Sequence, residues 1–207
     1  MPQWTPTKTW EGRDVFIIGG GLSLKTFDWD LLKDECTIGC NDAYLLGKEV
    51  CKICVFGDPK WYRKHKHELV KYEGIVFTNH GNFQRNRTDW IWALPRKARG
   101  LAKDALAWNK NTGSVAVNLA LILGAKRVFL LGFDMCLLNK HEQNWHENLL
   151  NEPDKSVYPL FIRGFEILSK QMHKYFSNAE IINVTDSSAL DMFPKVACDA
   201  FWKGRVK

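Results

Sequence analysis

An α/β fold with an open, mostly parallel sheet and helices on both faces is predicted by three observations. Short apolar runs rich in Val, Ile, Phe and Cys alternate with stretches of helical period. The runs are continuously apolar, as suits parallel strands covered on both sides. The first of them leaves directly into a glycine triplet, Gly19-Gly20-Gly21. The expected architecture is therefore Rossmann-like.

The strands are read, in order, at 15–18, 36–40, 53–56, 74–78, 127–132 and 180–184. A helix is expected to begin near Ser23, directly after the glycines. A second starts near Thr112 and closes by Gly124. A third covers 160–175, where Phe161, Phe165, Leu168 and Met172 recur at helical spacing.

The 207 residues fit one domain over 13–207, preceded by an extension over 1–12, because no Ser/Gly-rich or Pro-rich linker divides the chain. The extension contains Trp4 and Trp10 but lacks the apolar core of a secretory signal. No run reaches membrane-spanning length, so no membrane partner is expected. The six cysteines point to a reducing, cytoplasmic setting. Cys36-x3-Cys40 and Cys51-x2-Cys54 have the outline of a zinc site. Cys36, Cys40 and Cys54 fall in or beside strands and no turn-forming glycine separates Cys51 from Cys54, so they read as small buried hydrophobes. No metal ligand set is assigned.

The glycine triplet reads as a phosphate cradle, with backbone N–H groups approachable by an anion and the positive end of the expected helix beside them. The strict dinucleotide fingerprint is not met, because Leu22-Ser23-Leu24 follows in place of a further helix-packing glycine. A tight strand-to-helix turn without any ligand satisfies the same residues.

The net charge of +6 is concentrated in the middle of the chain. From Gly81 to Asn111 seven basic residues (Arg85, Arg87, Arg96, Lys97, Arg99, Lys103, Lys110) stand against Asp89 and Asp104, and 60–71 adds a net +4. Trp90 and Trp92 are interleaved with them. Cations that neutralise phosphates and rings that stack on bases suit a polyanion such as DNA, and Arg85, Arg87, Arg96, Lys97, Arg99, Trp90 and Trp92 are the candidate contacts. A solvated surface with core tryptophans accounts for the same pattern.

The ordered motifs Gly19-Gly20-Gly21-Leu22-Ser23-Leu24, Gly39-Cys40-Asn41-Asp42-Ala43-Tyr44, Phe56-Gly57-Asp58-Pro59, Asn111-Thr112-Gly113-Ser114-Val115 and Leu131-Gly132-Phe133-Asp134 together resemble the bacterial sialyltransferase-like family. That family shares its Rossmann-like core with hydroxymethylpterin diphosphokinase-like proteins and with uncharacterised phage proteins. The resemblance covers about residues 15–194. It implies a nucleotide-sugar donor of CMP or UDP type and no obligatory metal. Gly19, Gly21 and Ser23 would meet the nucleotide phosphate, Asn41 the donor, Thr112 and Gly113 the nucleotide, and Gly132 and Asp134 would belong to the same donor-binding site, with Asp58 over the same pocket as a catalytic candidate.

In the lid segment after Asp134 the family places a histidine as general base and tyrosines near the leaving phosphate. The positions here are His146, with His141 second, and Tyr158, with Lys155 and Arg163 as further donors. This sequence departs from the family pattern at Leu22 and Gly20 and in its shorter lid. The expected activity is glycosyl transfer from a nucleotide sugar to a hydroxyl. The basic middle points to a hydroxymethylated base in phage DNA as acceptor. A glycan or lipid-precursor sialyltransferase, an ATP-dependent diphosphokinase and a non-catalytic nucleotide-binding protein are the alternatives.

Overall fold

The computed structural model describes residues 8–85, 89–138, 142–146 and 155–205. In chain order its strands are β1 (Asp14–Ile18), β2 (Cys36–Cys40), β3 (Ile53–Phe56), β4 (Ile75–Thr78), β5 (Ile91–Ala93), β6 (Arg96–Lys97), β7 (Leu106–Ala107), β8 (Arg127–Leu131) and β9 (Glu180–Asn183). The helices are α1 (Pro59–Leu69), α2 (Gly81–Arg85), α3 (Thr112–Ile122), α4 (Tyr158–Ser169), α5 (Met172–Tyr175) and α6 (Cys198–Lys203). Seven strands form one sheet in the order β5-β4-β3-β2-β1-β8-β9, every pair parallel, and β6 and β7 form a separate two-stranded ribbon. This is the α/β, Rossmann-like architecture that the apolar runs predict.

Alternation along β1 divides the core between the two faces of the sheet. Val15 and Ile17 point to the face covered by α3 and α4. Phe16 and Ile18 point to the other face, where Phe129 and Trp202 of α6 cover them. Phe16 stacks on Phe129 at 5.0 Å and on Trp202 at 5.3 Å between ring centroids. The thiols of Cys36, Cys40, Cys51 and Cys54 are buried, as their reading as core residues requires. Burial holds Cys51 up at about 11, so the thiol is neutral.

Helix α3 begins because the Asn111 side chain accepts the Ser114 N–H at 2.7 Å, an N-cap, and all eleven of its residues are buried. Its polar Asn118 is satisfied inside the core. The side-chain oxygen accepts the N–H groups of Ala102 and Ala107, and the amide donates to Ala102 O at 2.8 Å. Helix α1 starts at Pro59 with Asp58 as its cap, the carboxylate accepting Lys60 N–H at 2.7 Å. It turns Trp61, His65 and Leu69 inward at four-residue spacing.

Two expected helices differ. No α-helix follows β1; the chain makes short 3-10 turns at Leu22–Leu24 and Trp29–Leu32. The stretch 160–175 is two helices, α4 and α5, interrupted at Lys170 and Gln171. There the Gln171 side chain accepts Leu101 N–H at 2.8 Å, which ties the break to the 101–107 loop. Residues near the start also join the fold, with Trp10 N–H donating to Leu123 O at 2.8 Å and Gly12 N–H to Gly124 O at 2.9 Å. Among the described residues no helix is long and apolar enough to cross a membrane.

Candidate functional site

The strand order reverses at β1, whose neighbours are β2 on one side and β8 on the other. Open parallel sheets bind ligands at such a switch point, beyond the carboxyl ends of the strands. The loops leaving β1 and β8 meet there. Gly19 N–H donates to Leu131 O at 2.8 Å and Gly21 N–H to Gly132 O at 2.9 Å. The two backbones are so close that a Cβ on Gly19 would lie 2.5 Å from Gly132 O. A Cβ on Gly21 would lie 2.5 Å from Gly132 O and 2.6 Å from the Asp134 carboxylate. Gly132 itself has φ +69°, a left-handed conformation that glycine adopts without strain. Gly19 and Gly21 are therefore glycine because a second loop lies against them.

Ser23 and Asp134 close this contact. Ser23 N–H and Oγ–H donate to the two Asp134 oxygens at 3.0 and 2.5 Å. Burial raises the Asp134 pKa, while the Ser23 hydroxyl and the backbone N–H groups of Ser23 and Leu22 oppose that shift. Ser23 has thus committed to Asp134 the donors expected for a phosphate. The positive helix end expected near Ser23 is absent as well, since three residues of 3-10 turn carry no macrodipole comparable to an α-helix. It is supplied by α3, whose first residues Thr112 and Gly113 line the same cavity as Gly19 and Gly21.

That cavity has a volume of about 920 Å³ and runs along the carboxyl edge of the sheet. It brings together Asn41 after β2, Asp58 after β3, Gly132 and Asp134 after β8, and Tyr158 at the start of α4. Asn41 has φ +52° and its side-chain oxygen is buried without a hydrogen-bond partner. Asp58 faces the cavity, but its carboxylate caps α1. Asp58 and Asp134 each serve a local structural bond and do not converge as one ligand set. Among the described residues, no group of three or more His, Cys, Asp or Glu side chains could hold a metal.

His146 enters the cavity from the 142–146 segment, which is fastened to the glycine loop. Trp145 N–H donates to Gly20 O at 3.1 Å and its indole Nε1–H to Gly19 O at 2.9 Å. The Trp145 ring also packs on Trp29 at 5.0 Å. His146 Nε2 lies 3.8 Å from Asp42 Oδ2, with the two side chains only 11% and 5% exposed. Burial is the largest influence on His146 and lowers its pKa; Asp42 opposes this, and His65 and Lys64 add to it. The imidazole is accordingly neutral at neutral pH, the state a proton acceptor needs.

Asp42 and His65 were absent from the residues predicted from sequence. Asp42 is buried in the turn after β2, where Trp61 Nε1–H donates to its Oδ2 at 3.0 Å. His65 Nε2 stands 3.3 Å from Asp42 Oδ1, and His65 Nδ1 is 3.0 Å from the Tyr44 hydroxyl. The four-residue spacing of Trp61 and His65 on one helix face was the available signal. Nothing in the sequence connects that face to His146.

Tyr158 OH accepts from Gln143 Nε2 at 3.1 Å, and among the described residues its own O–H has no acceptor at the cavity wall. Burial raises its pKa, so the phenol stays protonated. Arg163 instead pairs with Glu166 at 2.7 Å on an exposed face, and Lys155 is exposed. His141 and Arg87 lie outside the described residues, as does the side chain of Arg85.

Among the described residues the basic stretch brings Arg96, Lys97 and Lys103 together with Lys174 around one shallow depression, apart from its tryptophans. Arg96 lines the cavity, its guanidinium 4.8 Å from the centroid of the Trp108 ring. Lys97 donates to Leu101 O at 2.7 Å and lies over Tyr175, while Arg99 is exposed. Trp92 packs on the core beside Phe77, and Trp90 packs against the cluster around Tyr44 and Phe56. The two tryptophans contribute to packing, which is the competing account of the aromatic pattern.

No family model matches the chain, and no curated protein matches it. Solved structures do. The MAf glycosyltransferase from Magnetospirillum magneticum AMB-1 superposes with a TM-score of 0.63 at 15% identity, over 93% of this chain and 34% of that one. The sialyltransferase CstII from Campylobacter jejuni, in complex with the substrate analogue cytidine-5'-monophosphate, superposes at 0.53 and 17% identity over 90% of this chain and 86% of that one. Its complex with CMP-3FNeuAc gives 0.50 and 18%, over 89% and 85%. The fold is sialyltransferase-like. At these identities the sialyltransferase-like likeness is one of architecture, and chemistry has to be argued from the site.

Proposed function

We propose that this chain is a glycosyltransferase that takes a sugar from a nucleotide donor and passes it to an acceptor hydroxyl. The observation that carries the reading is the placement of a neutral, partly buried histidine, His146, in the same cavity as the glycine loop and the N-terminus of α3. The α3 terminus, with Thr112 and Gly113, supplies positive potential to the donor phosphate, and the loop at Gly19 to Gly21, whose Gly19 and Gly21 N–H groups are held by the β8 loop, forms the close-approach wall beside it. Asn41, with its unpartnered side-chain oxygen, contacts the nucleotide. Ser23 and Asp134 act by holding the loop.

In the transfer step the acceptor oxygen bonds to the anomeric carbon as the bond from that carbon to the phosphate oxygen breaks. His146 takes the hydroxyl proton, and the phosphate leaves with the bonding electron pair. The Tyr158 O–H donates a hydrogen bond to the developing charge on the phosphate. Asp58 serves as the α1 cap and bounds the site. A CMP-type donor is favoured because CstII, a structure of this fold, carries cytidine-5'-monophosphate and CMP-3FNeuAc. Residues 13–207 act as one transferase domain, with 1–12 as an extension fastened to it through Trp10 and Gly12.

The acceptor is read as an anionic molecule. Arg96 is braced on Trp108 at the cavity wall, Lys110 lines the same cavity, and neither has an ion-pair partner among the described residues. Hydroxymethylated DNA belongs to this class of acceptor, with Arg99 as a further exposed phosphate contact. The test is mass spectrometry of purified protein incubated with CMP- and UDP-sugars. Hydroxymethylated DNA and small acidic glycans serve as acceptors, each with and without EDTA. Acceptor mass gain coupled to nucleotide release supports the reading. Turnover of ATP to a diphosphorylated product would replace it by the diphosphokinase alternative.

A further inference from the structure

We infer that Asp42 is a positioning residue for His146, and that His65 of α1 sets the electrostatic environment in which it works; the inference rests on His146 being the base. Asp42 is the one carboxylate that stands between two imidazoles among the described residues, that of buried His65 and that of partly buried His146. His146 Nε2 is 3.8 Å from its Oδ2, and His65 Nε2 is 3.3 Å from its Oδ1. The carboxylate is fixed from α1. Trp61 donates to Oδ2 at 3.0 Å, and Trp61 and His65 stack one helical turn apart, with ring centroids 4.5 Å apart and planes 12° from parallel.

The far side of His65 sets its tautomer. His65 Nδ1 and the Tyr44 hydroxyl are 3.0 Å apart, and in the tautomer in which the phenol is the donor the ring proton sits on Nε2, on the side of Asp42. Burial keeps the Tyr44 phenol protonated, with its pKa pushed up to about 12, so it remains a donor. Asp42 thus accepts the Trp61 N–H on Oδ2, the oxygen that also stands nearest His146, while His65 Nε2 faces Oδ1 without a formed hydrogen bond. When His146 takes the acceptor proton, the new imidazolium forms beside a carboxylate already held in place. No side chain has to reorganise at that moment.

The arrangement also makes the two histidines compete. A proton on His65 opposes a proton on His146, since both draw on the same carboxylate. The charged and titratable groups facing the pair are Asp42 and Tyr44 from the turn after β2 and Lys64 from α1. Asp42 favours protonation of both rings, and Lys64 opposes it. The loop after β1 contributes only glycines to this side. A merely structural Asp42 would stabilise the fold without biasing His146.

The experiment follows the His146 ring by NMR titration of imidazole-labelled protein, without substrate, and the pH profile of kcat/KM with the nucleotide sugar that turns over. Asp42→Asn retains an acceptor for Trp61. It is expected to lower the His146 midpoint by about one pH unit or more, because an opposite charge within a few ångström has been removed. It should also reduce kcat by about tenfold to a hundredfold while leaving nucleotide affinity unchanged. His65→Gln retains an N–H toward Asp42 but loses the competing charge, and should raise the His146 midpoint. The variants move in opposite directions, a result that general loosening of the fold cannot produce. If Asp42→Asn does not fold, the sign of the His65→Gln shift decides. An unchanged His146 midpoint in the folded variants overturns the inference. Shifted midpoints in a protein that turns over no nucleotide sugar would retain the Asp42–His146 coupling and overturn the assignment of His146 as base.

Discussion

Ser23 and Asp134 are joined by two hydrogen bonds, from the Ser23 N–H at 3.0 Å and its hydroxyl at 2.5 Å, across the switch point of the sheet. The contact locks the loop after β1 to the loop after β8, and so sets the shape of the surface offered to a phosphate. It also explains why two residues assigned to the ligand by motif are spent on each other.

Asp134→Ala leaves the Ser23 donors without their acceptor at a part-buried contact. A hydrogen bond to a charged group contributes about 2 kcal/mol, and nucleotide affinity should fall in step as the loop loosens. Denaturant titration and calorimetry with CMP check the two effects together. Retained stability with lost affinity would instead mean that Asp134 touches the ligand directly.

The glycines of the triplet are not equivalent. Alanine at Gly19 or Gly21 drives a methyl to 2.5 Å from the Gly132 carbonyl and should destabilise the domain. Alanine at Gly20 meets the Asn144 side chain at 3.0 Å and His146 Nε2 at 3.8 Å. Gly20→Ala should fold with a near-native melting temperature and lose turnover, because it displaces the segment that carries His146. Melting curves and turnover of the three variants give the comparison.

Acid should weaken the fold through the two histidines. Burial holds both His146 and His65 below the ordinary value, which is about 6.5 in the unfolded chain. From about 6.5 downward the unfolded state binds protons that the folded state resists, so their contribution to stability is present above that pH and is lost as pH falls toward the folded values. Melting temperature should drop between about pH 7 and pH 5, and drop less steeply in a variant carrying both His65→Gln and His146→Gln. An equal slope in that variant would assign the acid sensitivity to other groups.

The six apolar runs marked β1 to β4, β8 and β9 to within a residue, because strands buried on both faces write their burial continuously into the sequence. α1 did not declare itself: its exposed face is a run of lysines, and only Trp61, His65 and Leu69 carry the inward spacing. The three-residue β5 lay inside a stretch dominated by charge and tryptophan. The glycine loop, Asn41, Thr112, Gly113 and Asp134 were legible because each stands at the end of a strand or the start of a helix. Asp42 and His65 were not, because their meeting with His146 depends on how α1 and the 142–146 segment pack over the sheet edge.

The central claim is that the cavity at the switch point receives a nucleotide sugar and that His146 takes the acceptor proton. The most direct measurement is nucleotide release from CMP-sugars by the native chain and by His146→Ala, alongside calorimetric binding of CMP to both. The account predicts equal CMP affinity and a loss of turnover of about a hundredfold or more in the variant. Absence of nucleotide binding by the native chain, or undiminished turnover by His146→Ala, would contradict it.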